Sequence, residues 1–263
     1  MVNRRTVIAG LGALPVMSLA AGAMAPVQAQ SEAQMLEGDA IQTSEGELVI
    51  HPIQHASMIL GWGGHVIYVD PVGGAEAYEG LPAPTGILIT HEHGDHYDVP
   101  TLEAIAGEAP LIVNPAVYDM LPEGLKANAT ALANGESGTL SGIEINAIPA
   151  YNTTPDRQQY HPEGRDNGYI LTLADKRIYI AGDTEVTDAM RALENIAVAF
   201  IPMNLPYTMA PEQAAEGIDA FEPEIVYPYH YRGSDVEALP GMLEGPSEVR
   251  FGGWYPEGEE TEE

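Results

Sequence analysis

The stretch His91-Glu92-His93-Gly94-Asp95-His96 sets three imidazoles and two carboxylates within six consecutive residues, directly after the apolar run Gly86-Ile87-Leu88-Ile89-Thr90. Imidazole nitrogen and carboxylate oxygen are ligands of zinc-class ions. A buried strand that ends in such a loop can hold them at metal-bond distances. The spacing predicts a binuclear metal site. Two divalent ions sharing a water lower its pKa towards neutrality, so hydrolysis needs no serine or cysteine nucleophile. The chain has no cysteine, which leaves His, carboxylate, amide and water as the only ligands.

The elements that must position these groups are short and β-rich. Strands are expected at Leu48–Ile53, Ser57–Leu60, His65–Asp70, Gly86–Thr90, Leu111–Val113, Ile143–Pro149, Tyr169–Leu173, Arg177–Ala181, Val198–Pro202, Ile225–Tyr227 and Val249–Trp254. Asn114 before Pro115 supplies an N-cap and an N1 proline for a helix through Met120, and Thr187 caps a helix through Leu193. Asp98, Pro211 and Ser234 open three more. Asp175-Lys176 reads as a tight hairpin leading into Ala181-Gly182-Asp183-Thr184. Two runs of strands, each followed by helices and not divided by a linker, predict an α/β chain. Its two ββα halves pack sheet against sheet in a four-layer αββα sandwich.

Composition narrows the function. Formal net charge is −29. Such a field repels nucleic acid and anionic membrane surfaces, so a small-molecule substrate is expected and a nucleic-acid partner is not. Arg4-Arg5 precede a Gly- and Ala-diluted apolar stretch that ends at Val27-Gln28-Ala29, a small-residue cleavage pattern. Residues 1–29 therefore resemble a twin-arginine export signal. A periplasmic location follows, with no stable membrane insertion once the signal is cleaved. Residues 30–45 read as polar and loose, residues 30–255 as the folded domain, and 256–263 as an acidic tail.

His91-x-His93-x-Asp95-His96, followed by Gly182-Asp183-Thr184 and a late His230, identifies the chain as a member of the metallo-β-lactamase fold superfamily. Val69-Asp70-Pro71, Pro149-Ala150-Tyr151-Asn152 and Pro228-Tyr229-His230-Tyr231 make it similar to the branch of ascorbate-phosphate lactonase-like and N-acyl-phosphatidylethanolamine phospholipase-like hydrolases. The resemblance implies that His91 and His93 bind the first metal, Asp95 and His96 the second, that Asp183 bridges both, and that His230 completes the second. The ions implied are two Zn2+, with Mn2+ or Fe2+ as alternatives. A bridging hydroxide would attack a small ester, lactone, amide or phosphodiester, with Asp95 orienting it and handling its proton.

Where a histidine is expected soon after the strand at 143–149, the chain has Tyr151-Asn152-Thr153. His161 is then the candidate third ligand of the first metal, with Asn152 as its rival. Asp70 is expected to accept the free N–H of a metal-bound imidazole, and His55 to support the ligand loop. Tyr207, Tyr229 and Tyr231 lie beside the late motifs, where a phenol could donate to a developing oxyanion. Two other classes compete. A di-metal redox enzyme on this scaffold resembles a pattern with an acid in place of the second histidine, which His93 disfavours. A non-catalytic periplasmic metal-binding protein would hold metal and hydrolyse nothing.

Overall fold

The computed structural model of the chain describes residues 36–255; the expected export signal and acidic tail lie outside them. Seven strands form a first sheet in unbroken sequence order: β1 (Asp39–Thr43), β2 (Gly46–Gln54), β3 (Ser57–Trp62), β4 (His65–Val69), β5 (Gly86–Ile89), β6 (Leu111–Val113) and β7 (Ala129–Ala131). Seven more form a second: β8 (Ser137–Leu140), β9 (Ile143–Ala150), β10 (Asp166–Leu173), β11 (Lys176–Ile180), β12 (Val198–Pro202), β13 (Ile225–Tyr229) and β14 (Glu248–Val249). Within each sheet the first four strands pair antiparallel and the remaining pairings are parallel. The two halves thus repeat one topology.

Residue alternation explains the layering. Met58, Leu60, Ile67, Val69, Leu88 and Ile112 point into the core shared with the second sheet. Their neighbours Ile59, Val66, Tyr68, Ile87, Ile89, Leu111 and Val113 face the other way. There they meet α1 (Val99–Ile105), α2 (Pro115–Met120) and α3 (Glu123–Lys126) through Leu102, Val117, Leu121 and Leu125. A strand buried on both faces needs apolar residues at every position, which is why β5 reads as Gly-Ile-Leu-Ile. The second sheet is covered outside by α4 (Asp188–Arg191) and α5 (Pro211–Phe221), the latter through Ala214, Ala215, Ile218 and Phe221. The result is the αββα sandwich of two halves.

The caps act locally as their chemistry requires. Asp98 accepts from the Thr101 N–H, Asn114 Oδ1 from Val117 N at 2.7 Å, and Thr187 Oγ1 from Met190 N at 3.0 Å. Other expectations are corrected. Part of the segment expected to be loose is strand β1, whose Ala40 and Ile41 pair with Val49 and Leu48. Strands β7 and β8 carry Ala, Thr, Ser and Gly, too weak a pattern to read as strand. The expected strand to Trp254 stops at Val249, and the helix expected after Ser234 is a 3-10 turn from Val236 to Gly241 interrupted by Pro240. The helix capped by Thr187 ends at Arg191 rather than Leu193. The hairpin turn is Ala174-Asp175, one residue early, with Ala174 at φ 53°.

Candidate metal centre

Every candidate ligand lies in a loop or turn that follows a strand. His91, His93, Asp95 and His96 follow β5, Asp183 follows β11, and His230 follows β13. His161 lies in the loop between β9 and β10, and His55 in the turn between β2 and β3. Six of the eight histidines converge here. His91, His93 and His161 form one group, and His55, Asp95, His96 and His230 a second, each with donor atoms within 4.8 Å of one another. Asp183 stands between them: its Oδ2 lies 3.4 Å from His161 Nε2 and 3.3 Å from His230 Nε2, and its Oδ1 3.3 Å from His96 Nε2.

These distances suit a metal. Two ligands about 2.0–2.1 Å from a tetrahedral ion are about 3.3 Å apart, the edge of the coordination polyhedron. The nitrogens that face inward, His91 Nε2, His96 Nε2 and His161 Nε2, are buried without a hydrogen-bond partner, as is Asp183 Oδ1. Native interiors rarely leave such atoms unpaired, and cations seated on the two sides of Asp183 would satisfy all of them. The donor set therefore fits divalent ions.

The outward nitrogens of His96, His161 and His91 are spoken for. His96 Nδ1 lies 2.8 Å from Asp70 Oδ2, and the Asp70 carboxylate also accepts from Thr90 N at 2.7 Å and Thr90 Oγ1 at 2.6 Å. His161 Nδ1 lies 2.9 Å from Asp166 Oδ2, and His91 Nδ1 3.0 Å from Thr90 Oγ1. Fixing one ring nitrogen in this way aims the other. Asn152 leaves its Oδ1 buried without a partner, while its nitrogens have structural uses. Its amide donates to the Arg157 and Tyr207 carbonyls at 3.0 and 2.7 Å, and its backbone N–H to the His161 carbonyl, so it secures the loop that carries His161.

Burial holds His91 well below the usual imidazole range, and it pushes His55 down to about 4. Burial opposes charge on His96 as well, but Asp183 and Asp70 outweigh it and raise that pKa well above the ordinary value. Asp183 and Asp95 are lowered despite burial, Asp183 chiefly by the charges of His230 and His96, Asp95 by hydrogen bonds from His230 and His55. Burial lowers the His93 pKa first, and Arg165, paired with Glu92 and Asp166 and 3.4 Å from His93 Nε2, lowers it further. The backbone is strained at the same place: His55, Asp70 and His230 adopt φ of 50°, 42° and 46°.

A cavity of about 1020 Å³ opens onto the second group, lined by His55, Asp95 and His230, by Leu205 and Tyr207, and by Arg232. Tyr207 is about half exposed here, whereas Tyr229 is fully buried against Phe200 and is not part of the lining; Tyr231 is buried against Tyr255. Sequence reasoning missed several supports. Asp166 and Tyr255 contact ring nitrogens of His161 and His55, and Glu185, two residues past Asp183, binds the Thr153 and Thr154 N–H groups and Arg157. The adjacency of Glu185 to the Gly-Asp-Thr motif is the one local clue. Tyr255 is 200 residues from His55 and offers none.

Fold and centre together define a class of enzyme, and the comparisons agree. The description "Beta-lactamase superfamily domain" matches residues 50–230, and the chain belongs to that superfamily, in its metallo-β-lactamase form. It is 41% identical to a crystallised protein from Parabacteroides distasonis described as a metal-dependent hydrolase, with a TM-score of 0.75 over 82% of this chain and 98% of that one. A metal-dependent hydrolase of Deinococcus radiodurans is 26% identical over 70% of this chain and 84% of its own length. One from Pyrobaculum arsenaticum is 30% identical over 67% and 81%. The protein is a metal-dependent hydrolase.

Proposed function

We propose that the enzyme is a binuclear hydrolase acting on a small ester, lactone, amide or phosphodiester, with Zn2+ as the preferred ion and Mn2+ or Fe2+ as alternatives. The observation that carries this reading is the convergence of unpaired, buried ring nitrogens from both halves on the two sides of Asp183. The first position takes His91, His93 and His161, the second Asp95, His96 and His230, and Asp183 serves both. Two ions so held supply a Lewis acid and a water acidified towards neutral pH. Asp95 is about half exposed and lines the cavity, so it is the carboxylate placed to orient a water and to accept its proton. The apolar wall at Leu205 and Tyr207 offers a surface for the body of a small substrate.

Metal analysis of the purified protein, followed by turnover of nitrocefin, a lactone and a bis-aryl phosphate, tests the proposal. Two ions per chain and turnover of one bond type are expected. Tight metal retention with no turnover of any ester, lactam or phosphodiester would instead favour a metal-binding role. Residues 1–29 lead us to place this activity in the periplasm, a reading checked by finding the mature N-terminus at Gln30 in that fraction.

A further inference from the structure

The second group holds one imidazole more than the bridged pair of sites requires. We propose that His55 is a direct donor to the ion held by Asp95, His96 and His230, which makes the two metal positions unequal: three imidazoles and a shared carboxylate at the first, three imidazoles and two carboxylates at the second. The inference rests on the binuclear reading above.

Three observations carry it. His55 Nε2 lies 3.1 Å from Asp95 Oδ2, and His230 Nε2 lies 3.3 Å from the same oxygen, both lengths of a polyhedron edge. His55 Nδ1 lies 2.6 Å from the Tyr255 hydroxyl, so the ring has an outward partner of the kind that fixes His96 and His161. The backbone also holds His55 in place: at φ 50° its carbonyl accepts the His230 N–H at 3.0 Å and its own N–H reaches Trp254 O. These two backbone hydrogen bonds tie the turn that carries His55 to the strand end that carries His230 and to the segment at Trp254.

Topology supplies an independent argument. His55 lies between the second and third strands of the first sheet, and His161 between the second and third strands of the second sheet. The repeated half-fold therefore presents a histidine from the same connection to each position. A five-donor site exceeds the four ligands typical of a structural zinc ion and suits a metal that accepts higher coordination.

Cobalt(II) tests this, because its visible absorption is intense in four-coordinate sites and weak in five- and six-coordinate ones. Wild-type protein titrated with Co2+ should bind two ions with unlike spectra, the ion at the second position being the weaker absorber. His55→Gly, which suits the positive φ, should weaken one of the two ions at least roughly tenfold and strengthen its absorption, and added imidazole should reverse both changes. If His55→Gly lacks the wild-type circular dichroism, His55→Asn, which also tolerates this backbone, replaces it in the same titration. Two ions bound with unaltered spectra in the variant would overturn the proposal and make His55 a hydrogen-bond donor to Asp95 only. Wild-type protein saturating at one ion would overturn the binuclear reading, and this proposal with it.

Discussion

At the scale of single residues, the centre depends on what stands behind each ligand. Asp70 holds His96 and Thr90 at once, so Asp70→Asn would turn an acceptor into a donor facing two other donors. A loss of metal affinity of about 10- to 100-fold is expected, read by competition with a chromophoric chelator. His93→Ala and Asp183→Ala remove a ligand outright, and each should abolish retention of at least one ion and cut turnover by at least about a hundredfold while far-ultraviolet circular dichroism is retained. Titration adds a third expectation. His96 has a raised pKa in the metal-free protein, so the stability it contributes is full below about 6.5 and is lost as pH rises through its folded value. An ion displaces that proton. Metal affinity should therefore increase with pH, and the gap in Tm between loaded and chelator-treated protein should widen from about pH 6 to pH 8.

At the scale of elements, the strand ends were legible and the loops were not. A cluster of ligands after an apolar strand is read from spacing alone, because a strand fixes where its last residues go. The loop from Tyr151 to Arg165 carries no period, so both His161 and Asn152 could be placed near an ion. The hydrogen bonds of Asn152 to the Arg157 and Tyr207 carbonyls settle where its amide is used, and no sequence pattern encodes those partners. Strand β1 was hidden by its polar edge composition, and the strand expected to reach Trp254 pairs only at Glu248–Val249. Gly182 shows how tightly these ends are fitted: at φ 64°, an added Cβ would lie 2.6 Å from the Asn167 carbonyl oxygen. Gly182→Ala should lower the unfolding free energy by roughly 1–3 kcal/mol and weaken metal binding through the neighbouring Asp183. By contrast, Thr187→Ala removes a cap from α4, a helix that supplies no ligand. It should lose about 1 kcal/mol with metal affinity unchanged.

At the scale of the molecule, the sandwich and its two halves followed from runs of strands and helices, but the repetition of one strand order did not, since the halves share topology rather than a readable sequence period. The repeat explains where the centre lies. His91 and His93 come from the first half and His161 from the second; His96 comes from the first and His230 from the second. Each ion would then tie the two sheets together. Chelation should lower Tm, and the stability that metal adds should grow with the logarithm of free metal, by about 1.4 kcal/mol per bound ion for each tenfold.

The chain passes from one sheet to the other through a single short connection, residues 132–136, between β7 and β8. Severing it would yield two pieces, each with all the strands of its own sheet and only part of a ligand set. Reunited through their common apolar faces, such pieces would regain both cation seats only when correctly mated, so that zinc uptake would serve as a reporter of faithful reassembly.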